Sequence, residues 1–147
     1  MGIARMNIGR LSVEMIQTSH VPAIAAAVNA SGDPNAHEIL IVLKTPRSAA
    51  FLAGDLSGPE CTEVLAASFL PIPCRLSERY YKVSHHGSRT GYDGAFFASY
   101  ASTYSIVSCS QSNRYNHPHN PPVPGQLPAN HEITWRDGQR VYTHGIL

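Results

Sequence analysis

The residues of this 147-residue chain that could do chemistry fall in three short polar clusters, each directly after an apolar run. Asp55 follows Phe51-Leu52-Ala53-Gly54. His85 and His86 follow Tyr80–Val83 and precede Gly87 and Ser88. Asn113, Arg114, His117 and His119 follow Thr103–Cys109. Aspartate oxygen and imidazole nitrogen are suitable ligands for zinc, manganese or iron. An aspartate can bridge two metal ions, and paired ions activate water for displacement at phosphorus or carbon. Arg114 would add a charge-assisted contact to a phosphate. The plainer alternatives are two surface histidines in a polar loop, and an Asp55 that caps a helix or occupies a turn.

For the clusters to act together, their strands must share one sheet and end at one rim. Glu38–Lys44 is a nearly continuous apolar run of strand length, which predicts burial on both faces. Thr45-Pro46-Arg47-Ser48 is turn material, and Ala49–Ala53 is a second apolar run, so the two form a hairpin ending on Gly54-Asp55. Tyr80–Val83 and Thr103–Cys109 read as further strands, and Leu11–Gln17 as a half-exposed one. Helices are expected over Ala23–Ala30, over Pro59–Phe69 and over Tyr92–Tyr100, the second ended by Pro71 and Pro73. Gln111–Asn120 is a polar loop and Pro121–Pro128 is irregular. His131–Trp135 and Arg140–His144 make a hairpin around Asp137-Gly138, with His131 and His144 in structural or surface roles.

Composition narrows the function classes. The length fits one domain with a real core, and 43% of the residues are hydrophobic. Charged residues make up only 14%, which argues against disorder, and the net charge of +1 gives no global pull toward nucleic acid or an anionic membrane. The cysteines are Cys61, Cys74 and Cys109, an odd number without C-x-x-C spacing. They predict neither a disulfide framework nor a cysteine zinc site, and suit a cytoplasmic protein. The first ten residues lack the apolar stretch of a secretory signal, and no apolar run approaches the ~18 residues that span a bilayer.

Three motifs in this order, F-L-A-G-D at Phe51–Asp55, K-V-S-H-H-G-S at Lys82–Ser88 and N-R-Y-N-H-P-H at Asn113–His119, resemble the metallo-β-lactamase-fold domain of the ComEC type. That domain stands at the end of DNA-uptake channel proteins and in many stand-alone relatives. The resemblance covers nearly the whole chain. It implies an α/β fold, a layered αββα sandwich built from two similar halves. It implies metal-dependent hydrolysis, with a phosphodiester of nucleic acid as the favoured substrate class. Asp55 then matches the aspartate that bridges two metals. His85, or else His86, matches the late histidine ligand of the second metal. Ser88, Asn113, Arg114 and His117 match substrate-facing positions, with His117 beside Asp55 and His85 in the catalytic set.

One departure is large. The superfamily's main motif, H-x-H-x-D-H, precedes the bridging aspartate, and no such motif precedes Asp55; His20 and His37 are isolated. Residues 1–147 are therefore expected to form a single partial domain, the carboxy-terminal ββα half. Its zinc or manganese site would be incomplete, since catalytic zinc takes three protein ligands and a water. The partner would be a separate chain carrying the first half, or further copies in a homo-oligomer. Half a sandwich would leave a sheet edge and a sheet face open. The alternative is a non-catalytic remnant or interaction module. A weaker third possibility is a nucleic-acid-binding piece using Lys82, Arg89 and Arg114.

Overall fold

Alternating side chains and well-placed turn residues build a sheet that grows in chain order. The computed structural model describes residues 2–68, 78–110, 112–119 and 131–133. Its strands are β1 (Ile3–Ile8), β2 (Leu11–Gln17), β3 (Ile39–Lys44), β4 (Ser48–Leu52), β5 (Glu78–Lys82), β6 (Tyr104–Val107) and β7 (His131–Ile133). They form one seven-stranded sheet in the order β1 to β7. The first three pairings are antiparallel. The last three are parallel. The parallel pairs need crossovers, and α2 (Gly58–Ala67) and α3 (Gly94–Tyr100) supply them between β4, β5 and β6. A third helix, α1 (Ala25–Ala30), lies between β2 and β3.

Two crossovers that step across a sheet in the same direction, each right-handed, put their helices on one face. The buried cluster agrees: Val64 of α2 and Phe96 and Tyr100 of α3 pack with Ile16, Leu40, Val42, Phe51 and Tyr81 of the sheet. The register lines these residues up, with Val42 beside Phe51 and Phe51 beside Tyr81. Phe51 is the hub, its ring centroid 5.2 Å from Phe96, 5.9 Å from Tyr100 and 6.2 Å from Tyr81. The helix starts are specified locally. The Glu60 carboxylate accepts from the Ser57 N–H at 2.9 Å and its hydroxyl at 2.8 Å, opening α2. Asp93 accepts from the N–H groups of Ala95 and Phe96 and opens α3. Asp55 is therefore not a helix cap.

The opposite face of the sheet is also apolar. Met15, Ile41, Leu52 and Ile106 form one row across it, with Lys82 between the last two. Val13, Leu43, Ala50, Tyr80 and Tyr104 form the next. None of these residues belongs to the core cluster, and Ile39, at the start of β3, is 59% exposed. The expected burial of β3 on both faces is thus corrected: the described helices cover one face only, and Ile41 and Leu43 are half-buried. β1 was not anticipated. It pairs with β2 through a two-residue turn at Gly9-Arg10, where Gly9 takes φ +59° at no steric cost.

The architecture is α/β, a mixed sheet with helices on one face. Among the described residues no helix is long and apolar enough to cross a membrane. The proline-rich segment 121–128, the hairpin at Asp137-Gly138 with His144, and Cys74 lie outside the described residues.

Candidate functional site

β4, β5 and β6 run parallel, so their carboxyl ends meet at one rim. Asp55 leaves β4 there, the His85-His86 pair leaves β5, and residues 108–110 and 112–119 follow β6. The backbone stitches the three loops together: the His85 N–H donates to the Gly54 carbonyl at 3.0 Å and the His119 N–H to the Gly87 carbonyl at 3.0 Å.

The histidine pair is built from unusual backbone. His85 and His86 both sit in the left-handed region, at φ 48° and 51°. Each such residue costs roughly 1–2 kcal/mol, and strain of this kind collects at functional sites. The turn is held from beneath. The buried Ser84 hydroxyl donates to the Leu56 carbonyl, and the Ser84 N–H donates to the Tyr81 hydroxyl at 3.2 Å. Gly87 follows at φ +75°, where an added Cβ would stand 2.8 Å from Pro118.

That conformation turns His86 toward the aspartate. His86 Nε2 lies 3.4 Å from Asp55 Oδ1, and His86 Nδ1 lies 2.6 Å from the Ser108 carbonyl oxygen. A carbonyl can only accept, so Nδ1 carries the hydrogen. In the neutral ring Nε2 is then a bare lone pair facing a carboxylate oxygen. Such a pair attracts only through a proton on Nε2 or a cation shared between the two atoms. The His85 ring meets His117 instead, with their centroids 5.6 Å apart. Of the two histidines considered from the sequence, His86 is the one that faces Asp55.

Lys82 completes this end of the site. Its ammonium donates to the Gly54 carbonyl at 2.9 Å and stands 3.7 Å from Asp55 Oδ1. Burial lowers its pKa, while Asp55 and Glu38 act in the opposite direction.

The loop after β6 forms the other wall. Asn113 clamps it: its side-chain oxygen accepts from the His117 N–H at 2.8 Å, and its amide donates to the His117 and Ser110 carbonyls, each at 2.7 Å. His117 stacks against His86 at 6.3 Å and Tyr115 at 5.6 Å, and meets His119 edge-on at 4.9 Å. Its pKa is lowered, by burial first and then by the rings of His119, His85 and His86. Arg114 is exposed and lies over the Tyr115 ring, 4.6 Å from its centroid. A cleft of about 420 Å³ opens between His86 and this loop, lined on the loop side by Ser108, Cys109, Ser110, Asn113, Tyr115 and His117; Asp55 and Lys82 do not line it. That volume suits a small-molecule site.

The site residues expected from sequence thus divide. Asp55, His85, His86 and His117 converge. Asn113 is spent on the loop, and Ser88 is buried, with its hydroxyl accepting from the Thr90 N–H at 3.3 Å. Lys82 was not assigned to this site, and His119, named in the third cluster, was given no role in it; its Nδ1 accepts from the Arg89 N–H at 3.0 Å. The three-residue spacing from Lys82 to His85 and the His117-x-His119 spacing were the available signals.

A metal can be tested against this geometry. Tetrahedral ligands each ~2.0–2.1 Å from zinc stand about 3.3–3.4 Å from one another. The separation of Asp55 Oδ1 and His86 Nε2 fits that figure, and a ring whose other nitrogen donates to a carbonyl is the usual metal-binding histidine. The set is incomplete, because among the described residues no group of three or more His, Cys, Asp or Glu could hold a metal ion. Comparison with protein-family models, curated proteins and solved structures gives no significant match.

Proposed function

We propose that the chain carries one half of a metal-dependent hydrolase site for phosphodiesters, the second half of a metallo-β-lactamase-like sandwich. The observation that supports this most directly is His86, whose Nδ1 is committed to Ser108 and whose Nε2 faces Asp55 at 3.4 Å. Asp55 and His86 would hold the zinc or manganese ion, which supplies Lewis acidity and charge at the developing anion. His117, kept neutral by burial and its neighbours, accepts or returns a proton across the cleft. Arg114, exposed and packed over the Tyr115 ring, meets an anionic group from solvent. Lys82 neutralises Asp55 until the ion arrives and must then give up that carboxylate. The remaining donors come from a second polypeptide surface. The protein read this way works in the cytoplasm, where thiols such as that of the buried Cys61 stay reduced.

The alternative is a non-catalytic interaction module. It is favoured by the Lys82 ammonium beside Asp55 and by the missing third donor among the described residues. Calorimetric titration with zinc and manganese, combined with hydrolysis of bis(p-nitrophenyl) phosphate and a single-stranded oligonucleotide, separates the two. The hydrolase reading expects metal-dependent turnover that Asp55→Ala and His86→Ala remove, with the chain alone or supplied with a first-half chain. Absence of metal uptake and turnover in every combination leaves the interaction module.

A further inference from the structure

Asp55 Oδ1 has two neighbours that cannot both keep it once an ion arrives. His86 Nε2 stands 3.4 Å away and Lys82 Nζ 3.7 Å away, both from the same oxygen. An ion seated between Asp55 and His86 takes a lone pair from each. Its charge then faces the Lys82 ammonium, and repulsion between like charges drives the two apart.

Lys82 is held in a way that survives this separation. Its ammonium has three hydrogens. The Gly54 carbonyl accepts one of them at 2.9 Å, a full hydrogen bond. The 3.7 Å to Asp55 exceeds hydrogen-bond length, so that contact is attraction of charges alone. Loss of Asp55 leaves the backbone anchor in place and the ammonium at the rim. The stem is fixed as well, because Lys82 stands in register between Leu52 of β4 and Ile106 of β6. The side chains of Lys82, Asp55 and His86 are 23%, 26% and 44% exposed, so an ion and an anion both reach them from solvent.

We infer that Lys82 couples two binding events: it holds Asp55 in the empty site, and when a divalent ion takes Asp55 its ammonium turns to an oxygen of the bound phosphate. The inference rests on the metal-binding function proposed above, and it assigns Lys82 to the anion of that same site. Charge sets the order of events. Asp55 and Lys82 neutralise one another before loading, so the pair offers a phosphate no net attraction. An ion arriving there leaves its whole double charge uncompensated. A phosphate that reaches both the ion and the ammonium compensates both. Glu38 is the competing acceptor, since its charge acts on Lys82 and its carboxylate lies beside Gly54.

Titration calorimetry of the full chain with manganese, then of the manganese-loaded chain with inorganic phosphate, tests this on wild type, Lys82→Met and Lys82→Arg. Methionine keeps an apolar stem between Leu52 and Ile106, and matching circular dichroism spectra check the fold. Two changes of opposite sign are expected in Lys82→Met. Manganese binds about fivefold tighter or more, because the competing ammonium is gone, and phosphate binds the loaded protein about tenfold more weakly. Lys82→Arg should retain the phosphate affinity, since the charge remains. A loss there as deep as in Lys82→Met overturns the charge argument. Unchanged manganese affinity in Lys82→Met shows that the ammonium does not compete for Asp55, and overturns the coupling. Tighter manganese with unchanged phosphate sends the released ammonium to Glu38 and overturns its role toward the anion. A parallel fall of both affinities marks a structural role and overturns the inference too. Manganese uptake by none of the three proteins overturns the metal-binding reading itself and the inference with it, a result distinct from each of the others.

Discussion

His86 faces Asp55 across 3.4 Å, with its other ring nitrogen tied to the Ser108 carbonyl. The two histidines of the pair should therefore differ sharply in effect. His86→Ala and Asp55→Ala each remove one of two donors and should weaken zinc or manganese affinity at least ~10–100-fold. His85→Ala should change it far less. Titration calorimetry on the three variants reads this, and equal losses for His85 and His86 would count against the assignment.

Gly87 supports the turn that aims His86. Gly87→Ala must place a Cβ 2.8 Å from Pro118 on a backbone at φ +75°. The expected loss is about 1–3 kcal/mol in urea denaturation, because both strain and crowding act. Gly32→Ala makes a control, since nothing lies within 4 Å of its Cβ position.

Protonation of His117 should weaken the fold on the acid side. Burial and the neighbouring rings hold its pKa below the ordinary 6.5, so on acidification the unfolded chain takes up that proton first. Its contribution is nil at neutral pH. Stability falls as pH drops below the unfolded value toward the lower folded one. His117→Gln should flatten this part of a melting-temperature profile recorded between pH 8 and pH 5, and an unchanged slope would assign the acid sensitivity elsewhere.

Cys61 should be silent to thiol reagents in the native protein. It is fully buried, and burial pushes its pKa up to about 11. In a Cys74→Ser, Cys109→Ser background, labelling at pH 8 should require unfolding and accelerate by orders of magnitude in denaturant. Fast labelling without denaturant would show that the α2–β5 contact opens readily.

Much of the site was legible because apolar runs ended abruptly on polar residues. Phe51-Leu52-Ala53 before Asp55 and Tyr80–Val83 before His85 marked strand ends, and parallel pairing brings such ends together. The choice between His85 and His86 was not legible, since it depends on consecutive left-handed residues that no pattern of residue types announces. The role of Asn113 was hidden for a similar reason. Its amide looks free to meet a ligand until the loop folds back and His117 takes both ends of it. β3 misled because an unbroken run from Ile39 to Leu43 suggests burial on two sides, whereas the described helices cover one. β1 was missed although Arg5 and Asn7 alternate with Ala4, Met6 and Ile8 in the pattern of a half-exposed strand.

The strand order of the sheet is the order of the chain, and this shapes how the protein is made. Each strand pairs with the one synthesised just before it, so a nascent chain can extend the sheet by one edge at a time without waiting for distant partners. Asp55 leaves the ribosome early and His86 thirty-one residues later. The Ser108 carbonyl that orients His86 and the Asn113 clamp come later still. Synthesis therefore completes the scaffold around Phe51 before the rim can close, and the geometry of the candidate site is a late event on a surface already formed.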